Sequence, residues 1–396
     1  MTLPERLLNY LELAHLDRVV IMAAEYQGDV DPEVLDEAFH LLCLENPVLR
    51  SRIRRNTHDP VLAVAPGYRP ELIVLDDVPD VLEKIAELPW DATNGVADLV
   101  LVRGDAHGFL SLRTDHSITD ANAWLGTFRR LLWFYRALAE GEETTPEPGD
   151  SLPSPPAELF HRRLGLIPYD RRLFRTAALP DVPRDPAGLI SGRLTLGEEE
   201  TEWVKRAARR YETTVHGLVC GAILLAQRVH AGGRETAPMY SVSPVDFRQR
   251  VEPPVGLVET TNFMMSYVAE VPVSTRMSPV LIGQAVKAQM DAVLASPEGA
   301  RATAPLEDSL ERNLSFALIS NLGVIDPFPE PDGATYTDFH ILNTVGDTYF
   351  PGYYVSTYRG RLTVLYVFTN RFFGQEDVEA ITGELREQLL IVGASA

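Results

Sequence analysis

A chain of 396 residues, 45% hydrophobic and 23% charged, is long enough for about two globular domains. Its formal charge of −20 argues against nucleic acid or an anionic membrane as the main partner, because phosphate would be repelled. No run approaches the ~20 apolar residues of a membrane span, and the opening MTLPERLLNYLELAHLDR is amphipathic and carries acids, so a cytoplasmic protein is expected.

The first half alternates strands and helices. RVVIMAAEYQG (Arg18–Gly28) has the branched apolar content of a strand. The helix after it starts with Asp31 as cap and Pro32 in the first turn. Val34, Leu35, Ala38, Phe39, Leu42 and Cys43 form its apolar face, and Pro47 closes it. VLRSRI, PVLAVAPG and ELIVLDD read as strands, and DVLEKIAEL as a short helix. ADLVLVRGDAHGFLSLRT reads as a hairpin turning at Gly104–Gly108. A helix then runs to about Ala139, with Trp124, Leu125, Phe128, Leu131, Leu132 and Tyr135 on its buried side.

EGEETTPEPGDSLPSPP is rich in proline, acid and small polar residues and marks the domain boundary. Past it, HRRLGLIPYDRRLFR sets Arg162, Arg163, Arg171, Arg172 and Arg175 among apolar residues, either a connector lying on the chain's own acidic surface or a candidate docking surface for an acidic partner. The second half follows with strand LISGRLTL, helix GEEETEWVKRAARRYE and the almost wholly apolar helix TTVHGLVCGAILLAQRVHA, which should be internal. Strands APMYSVSPVDFR and TTNFMMSYVAEVPV, a helix from Pro279 to about Leu294, strand LSFALISNLG, hairpin YYVSTYRGRLTVLYVFT and a helix from Gln375 complete it. The connections lack a regular βαβ rhythm, so the fold class is α+β with mixed sheets. Cys43 and Cys220 lie in apolar helical patterns, which suits buried reduced thiols. His216 and Cys220 share a helix face, but two ligands make no metal site.

One junction stands apart. LSLRTDHSITDANAW passes from strand to helix through a histidine set between two aspartates, and loops at strand ends are where a scaffold presents chemistry. The residues leave two readings open: Asp120 caps the helix starting near Ala121, or His116 and Asp120 form part of a site.

DHSITDA (Asp115–Ala121) resembles the HHxxxDG motif of the condensation-domain superfamily. That group holds nonribosomal peptide condensation domains, chloramphenicol acetyltransferases, BAHD acyltransferases and the polyketide-associated, phthiocerol dimycocerosyl transferase-like enzymes. ENPVLRSRI, TTVHGLVCGAILLA, SVSPVDFR and ISNLG are similar to further segments of that group in the same order, ISNLG particularly to the polyketide-associated enzymes. The resemblance implies two chloramphenicol acetyltransferase-like lobes in a pseudo-twofold arrangement with a tunnel between them. Residues 1–150 would form the N-terminal lobe, 151–190 a crossover linker and 191–396 the C-terminal lobe. The motif's second His falls on His116 and its Asp on Asp120; its first His is replaced by Asp115 and its Gly by Ala121.

The implied activity is acyl transfer from acyl-CoA or a phosphopantetheine thioester to a hydroxyl or amine, in polyketide, peptide or lipid secondary metabolism. His116 would be the general base, since imidazole titrates near neutrality, and no covalent intermediate is needed. Asp120 would anchor the loop through a cation, with Arg248 or Arg50 as its partner. Asp115 would orient His116, raise its proton affinity or meet substrate, and Ser320 and Asn321 would donate to the oxyanion. Neither a tightly bound cofactor nor a metal is expected; the partners are a small-molecule acceptor and a candidate acyl or peptidyl carrier protein. A free-standing amide-forming condensation enzyme, a degenerate non-catalytic member and a scaffold recruited for another reaction stay open as alternatives.

Overall fold

The computed structural model describes residues 3–55, 59–76, 78–104, 107–165, 188–233, 235–295, 314–343 and 350–394. In chain order the first elements are β1 (Glu5–Leu7), α1 (Tyr10–Leu13), β2 (Val19–Gly28), α2 (Pro32–Glu45), β3 (Ser51–Arg54) and β4 (Val61–Val64). Then come β5 (Leu72–Asp76), α3 (Val81–Glu87), β6 (Ala97–Arg103), β7 (His107–Asp115), α4 (Ala121–Ala139) and α5 (Pro156–Leu164). The second half holds β8 (Leu189–Leu196), α6 (Glu198–Arg210), α7 (Val215–Ala231), β9 (Ala237–Asp246), β10 (Met264–Val273) and α8 (Pro279–Leu294). It ends with β11 (Phe316–Ile325), β12 (Ala334–Asn343), β13 (Gly352–Tyr358), β14 (Arg361–Thr369) and α9 (Gln375–Ala394). Among the described residues no helix is long and apolar enough to cross a membrane.

The chain forms two compact units that are interleaved in sequence. The first takes Met1–Pro168, Asp246–Met264 and Asp326–Val345; the second takes Tyr169–Val245, Met265–Ile325 and Gly346–Ala396. The expected division into 1–150, 151–190 and 191–396 is therefore corrected in two respects. Helix α5, inside the expected linker, belongs to the first unit, and two stretches of the second half return to that unit. Burial explains both. Ala157, Leu159 and Phe160 of α5 are buried, Phe160 stacking on Phe263 at 4.1 Å, while β12 supplies an edge to β2. Residues 166–187, with Arg171, Arg172 and Arg175 of the candidate docking surface, lie outside the described residues.

In the first unit a five-stranded mixed sheet runs β12-β2-β7-β6-β5, and a small antiparallel sheet runs β1-β4-β3. The β6–β7 hairpin is the expected one, and β7 delivers the motif directly off its last residue, Asp115. One face of the large sheet packs Val19, Ile21, Val100 and Val102 against Ile85 of α3. Helix α4 buries Trp124, Phe128, Leu131, Leu132 and Tyr135, the stripe its 3.6-residue period set out, though Leu125 is only partly buried. Trp124 donates through Nε1 to the carbonyl of Leu112 at 2.7 Å, fixing the helix to β7. VLRSRI is strand only from Ser51; Pro47–Arg50 make a 3₁₀ turn, which suits proline at its first position.

The second unit is a six-stranded mixed sheet, β10-β9-β11-β13-β14-β8, with α6–α9 around it. Helix α7 is buried along most of its length, as its composition demands. It meets α8 at backbone distance. A Cβ on Gly221 would lie 2.0 Å from the carbonyl oxygen of Pro279, and one on Gly283 would lie 2.3 Å from that of Gly217. Cys43 and Cys220 are buried free thiols, each pushed up to about 12 by burial and so unreactive as thiolates.

Candidate active site

The loop from Asp115 to Asp120 is short, mostly buried and closed on itself. Asp120 accepts from Ala123 N–H through Oδ1 at 3.0 Å, capping α4, so the capping reading holds. It does more with its other oxygen. Oδ2 receives Arg248 Nη1 at 2.6 Å and Phe263 N–H at 2.8 Å, with both side chains of the ion pair almost fully buried. Arg248 is itself held on several sides. Its Nη1 also reaches Asp246 Oδ1 at 3.1 Å, its Nη2 donates to the carbonyl of Thr261 at 3.0 Å, and Asn122 ties Asp246 Oδ2 at 2.8 Å. Of the two candidate cations for Asp120, the structure selects Arg248. Arg50 instead donates to the carbonyl of Cys43 at 2.7 Å, closing α2 onto the turn that follows.

His116 is partly buried. Its backbone N–H donates to Arg18 at 2.6 Å, and its own carbonyl accepts from Asn262 Nδ2 at 2.6 Å. The ring nitrogen Nδ1 sits 2.8 Å from the carbonyl of Thr119. A carbonyl can only accept, so Nδ1 carries the proton and the Nε2 lone pair is the basic one. Burial pulls the imidazole below its ordinary pKa and Arg18 pushes the same way, against the Thr119 hydrogen bond and Asp120. At neutral pH the ring is therefore the neutral, base form.

Asp115, expected to orient His116, raise its proton affinity or meet substrate, is fully buried with both carboxylate oxygens engaged by N–H groups. Its Oδ1 accepts from Ser117 N–H at 3.0 Å; its Oδ2 accepts from Asp17 N–H at 3.1 Å and Trp90 Nε1 at 3.3 Å. Burial pushes its carboxyl up to about 6, with these hydrogen bonds opposing the shift. It is a tether between the loop and the turn before β2. Ala121 opens α4 with helical backbone, where a Cβ is at no disadvantage, so the missing glycine costs nothing in this loop.

Ser320 and Asn321 lie on β11 in the second unit, opposite Tyr354 and Val355 of β13, next to a register shift; Asn321 Oδ1 accepts from Gly323 N–H at 2.8 Å. His216 and Cys220 are neighbours there as expected, with Ser243 Oγ 3.0 Å from His216 Nε2. Among the described residues Glu25, Asp338 and His340 are the group whose ligand atoms, within 4.8 Å of one another, could hold a metal ion; His340 and Glu25 are joined at 3.1 Å.

Four residues of the site were missed in the sequence: His15, Trp90, Asn262 and Phe263. Nothing in their local patterns marks them, since each reaches the loop from a distant stretch of chain. The most intimate is His15, whose ring stacks on that of His116 with centroids 4.2 Å apart and planes 22° from parallel.

Residues 185–367 match the family described as the C-terminus of phthiocerol/phthiodiolone dimycocerosyl transferase. A phthiocerol/phthiodiolone dimycocerosyl transferase of Mycobacterium ulcerans (strain Agy99) is 26% identical over 369 residues, covering 86% of each chain. Among solved structures, polyketide synthase associated protein 5 from Mycobacterium tuberculosis superposes with a TM-score of 0.78 at 20% identity, covering 98% of both chains. The first condensation domain of the CDA synthetase does so with a TM-score of 0.70 at 18% identity, over 96% of this chain and 91% of that one. Those two likenesses show the fold. The family match and the curated relative, taken with that fold, fit the condensation-domain and chloramphenicol acetyltransferase-like superfamily. The curated relatives and the matching family are named as transferases.

Proposed function

We propose that the protein moves an acyl group from a thioester, of coenzyme A or of a carrier protein's phosphopantetheine arm, to a hydroxyl or amine, with His116 as general base. The observation that carries this reading is the hydrogen bond from His116 Nδ1 to Thr119, which leaves Nε2 as a fixed, unprotonated base. Nε2 takes the acceptor's proton as its oxygen or nitrogen attacks the thioester carbonyl carbon. The carbonyl electrons move onto oxygen, and Ser320 and Asn321 are our candidates to steady that charge. Collapse breaks the C–S bond, and the proton on Nε2 passes to the departing thiolate. The acceptor attacks directly, so no acyl-enzyme is formed. Asp120 and Arg248 act by holding the loop.

The test is incubation of the purified protein with acyl-CoA or acyl-pantetheine and panels of alcohols and amines. Thiol release is followed by absorbance and the product by mass spectrometry. Ester formation supports the reading, and amide formation supports the condensation-enzyme alternative. Release of free acid alone, or no turnover with any thioester, overturns it and favours a non-catalytic member.

A further inference from the structure

The turn between α1 and β2 is held by several hydrogen bonds and ion pairs. Asn9 and Glu12 form a capping box around the single turn of α1. Glu12 is fully buried, paired with Arg6 Nη2 at 2.6 Å and receiving Thr261 Oγ1 at 2.7 Å. His15 N–H donates to Glu12 and Arg18 N–H donates back to His15. Asp17 stands in the left-handed region at φ 63°, a conformation disfavoured for a side chain other than glycine. It is held there by its N–H to Asp115 and by its carboxylate to Arg55. His116 N–H closes the circle on the carbonyl of Arg18. The product of all these contacts is the placement of one ring, that of His15, flat against His116.

We propose that His15 is a positioning residue for His116, a second imidazole supplied by the turn before β2 and tethered by Asp115. The proposal rests on the reading of His116 as the base. His15 covers one face of the His116 ring and, with the Thr119 hydrogen bond, stops it rotating, so that Nε2 keeps one direction. Two stacked imidazoles resist holding two protons. Which of them takes the single proton is decided by their surroundings. Among the described residues His15 Nδ1 is buried with no hydrogen-bond partner, so a proton placed there would be unsatisfied by them. His116 has Thr119 and Asp120 to support a positive charge, while Arg18 opposes charge on both rings. Burial and His116 together hold His15 well below the ordinary histidine value. His15 is thus a neutral ring lying against the imidazolium that forms as His116 takes the acceptor's proton.

The experiment pairs NMR titration of ring-labelled histidines with pH profiles of kcat/KM for the parent, His15→Ala and His15→Phe. His15→Ala admits water to His116, so its titration and the acid limb of kcat/KM both move to higher pH, and kcat falls roughly 10–100-fold from lost orientation. His15→Phe restores the stacked face, returning the titration close to the parent's and most of the rate. An unmoved His116 titration in His15→Ala overturns the pairing. A moved titration with an unmoved acid limb keeps the pairing and overturns His116 as the base.

Discussion

Arg248 Nη1 lies 2.6 Å from Asp120 Oδ2 across 128 residues of sequence, and both side chains are withdrawn from water. Breaking such a pair leaves a buried charge without its nearest partner, at a cost of up to about 3–5 kcal/mol, eased on the Arg248 side by Asp246. Asp120→Ala and Arg248→Met should each lower the unfolding free energy by an amount of that order, read from urea titrations. The double variant should cost less than the sum of the two, because neither charge is then stranded. Additive losses in a double-mutant cycle would show that the pair does not act as a unit.

His116 should separate from that pair in its signature. Its ring meets two uncharged groups, the carbonyl of Thr119 and the ring of His15, so the proposed role in turnover should show without a large cost in stability. His116→Gln is expected to lower kcat by about 10²–10⁴-fold with little change in thermal midpoint. A folded variant with full activity would remove the base assignment.

Asp115→His, which restores the first letter of the superfamily motif, should damage the protein rather than improve it. The carboxylate accepts three N–H groups that an imidazole cannot serve together. Leaving buried donors unpaired costs about 1–3 kcal/mol each. The check is chemical denaturation of the variant beside the parent. A more stable or faster Asp115→His enzyme would contradict the tether.

Acid sensitivity should trace in part to His216, whose imidazole is pulled down to about 4 by burial. In the unfolded chain the same group titrates near 6.5, so between these values the unfolded state binds more protons. Its contribution is fully present above about 6.5 and is lost as pH falls towards 4. His216→Gln should therefore narrow the gap between urea midpoints at pH 7 and pH 5. An unchanged gap would mean that His216 does not contribute to it.

The legible parts of this molecule are those whose signal is local. The stripe Trp124, Phe128, Leu131 and Tyr135 and the cap at Asp120 are set by neighbours within one helix, and α4 follows them. The choice between Arg248 and Arg50 was open because a carboxylate asks for a cation and says nothing about which. Strand β12 went unread for a different reason. Its pairing slips between Tyr336 and Asp338, which breaks strict alternation, and its partner is β2, near the other end of the chain. His15 could not be seen at all: its meaning lies in a ring contact with His116, and no spacing in the sequence encodes that contact.

The return of β12 to the edge of β2 has a consequence for birth on the ribosome. When the first 165 residues have emerged, β2 still lacks one neighbour and Asp120 lacks Arg248. Roughly 300 residues separate β2 from its partner, about 15–60 s of synthesis at the usual pace. Through that interval an apolar strand presents an open rim of N–H and C=O groups, the kind that recruits stray chains. The nascent protein must therefore wait, half-dressed, for its own second half, and conditions that slow translation late in the message should cost soluble yield even where the finished enzyme is robust.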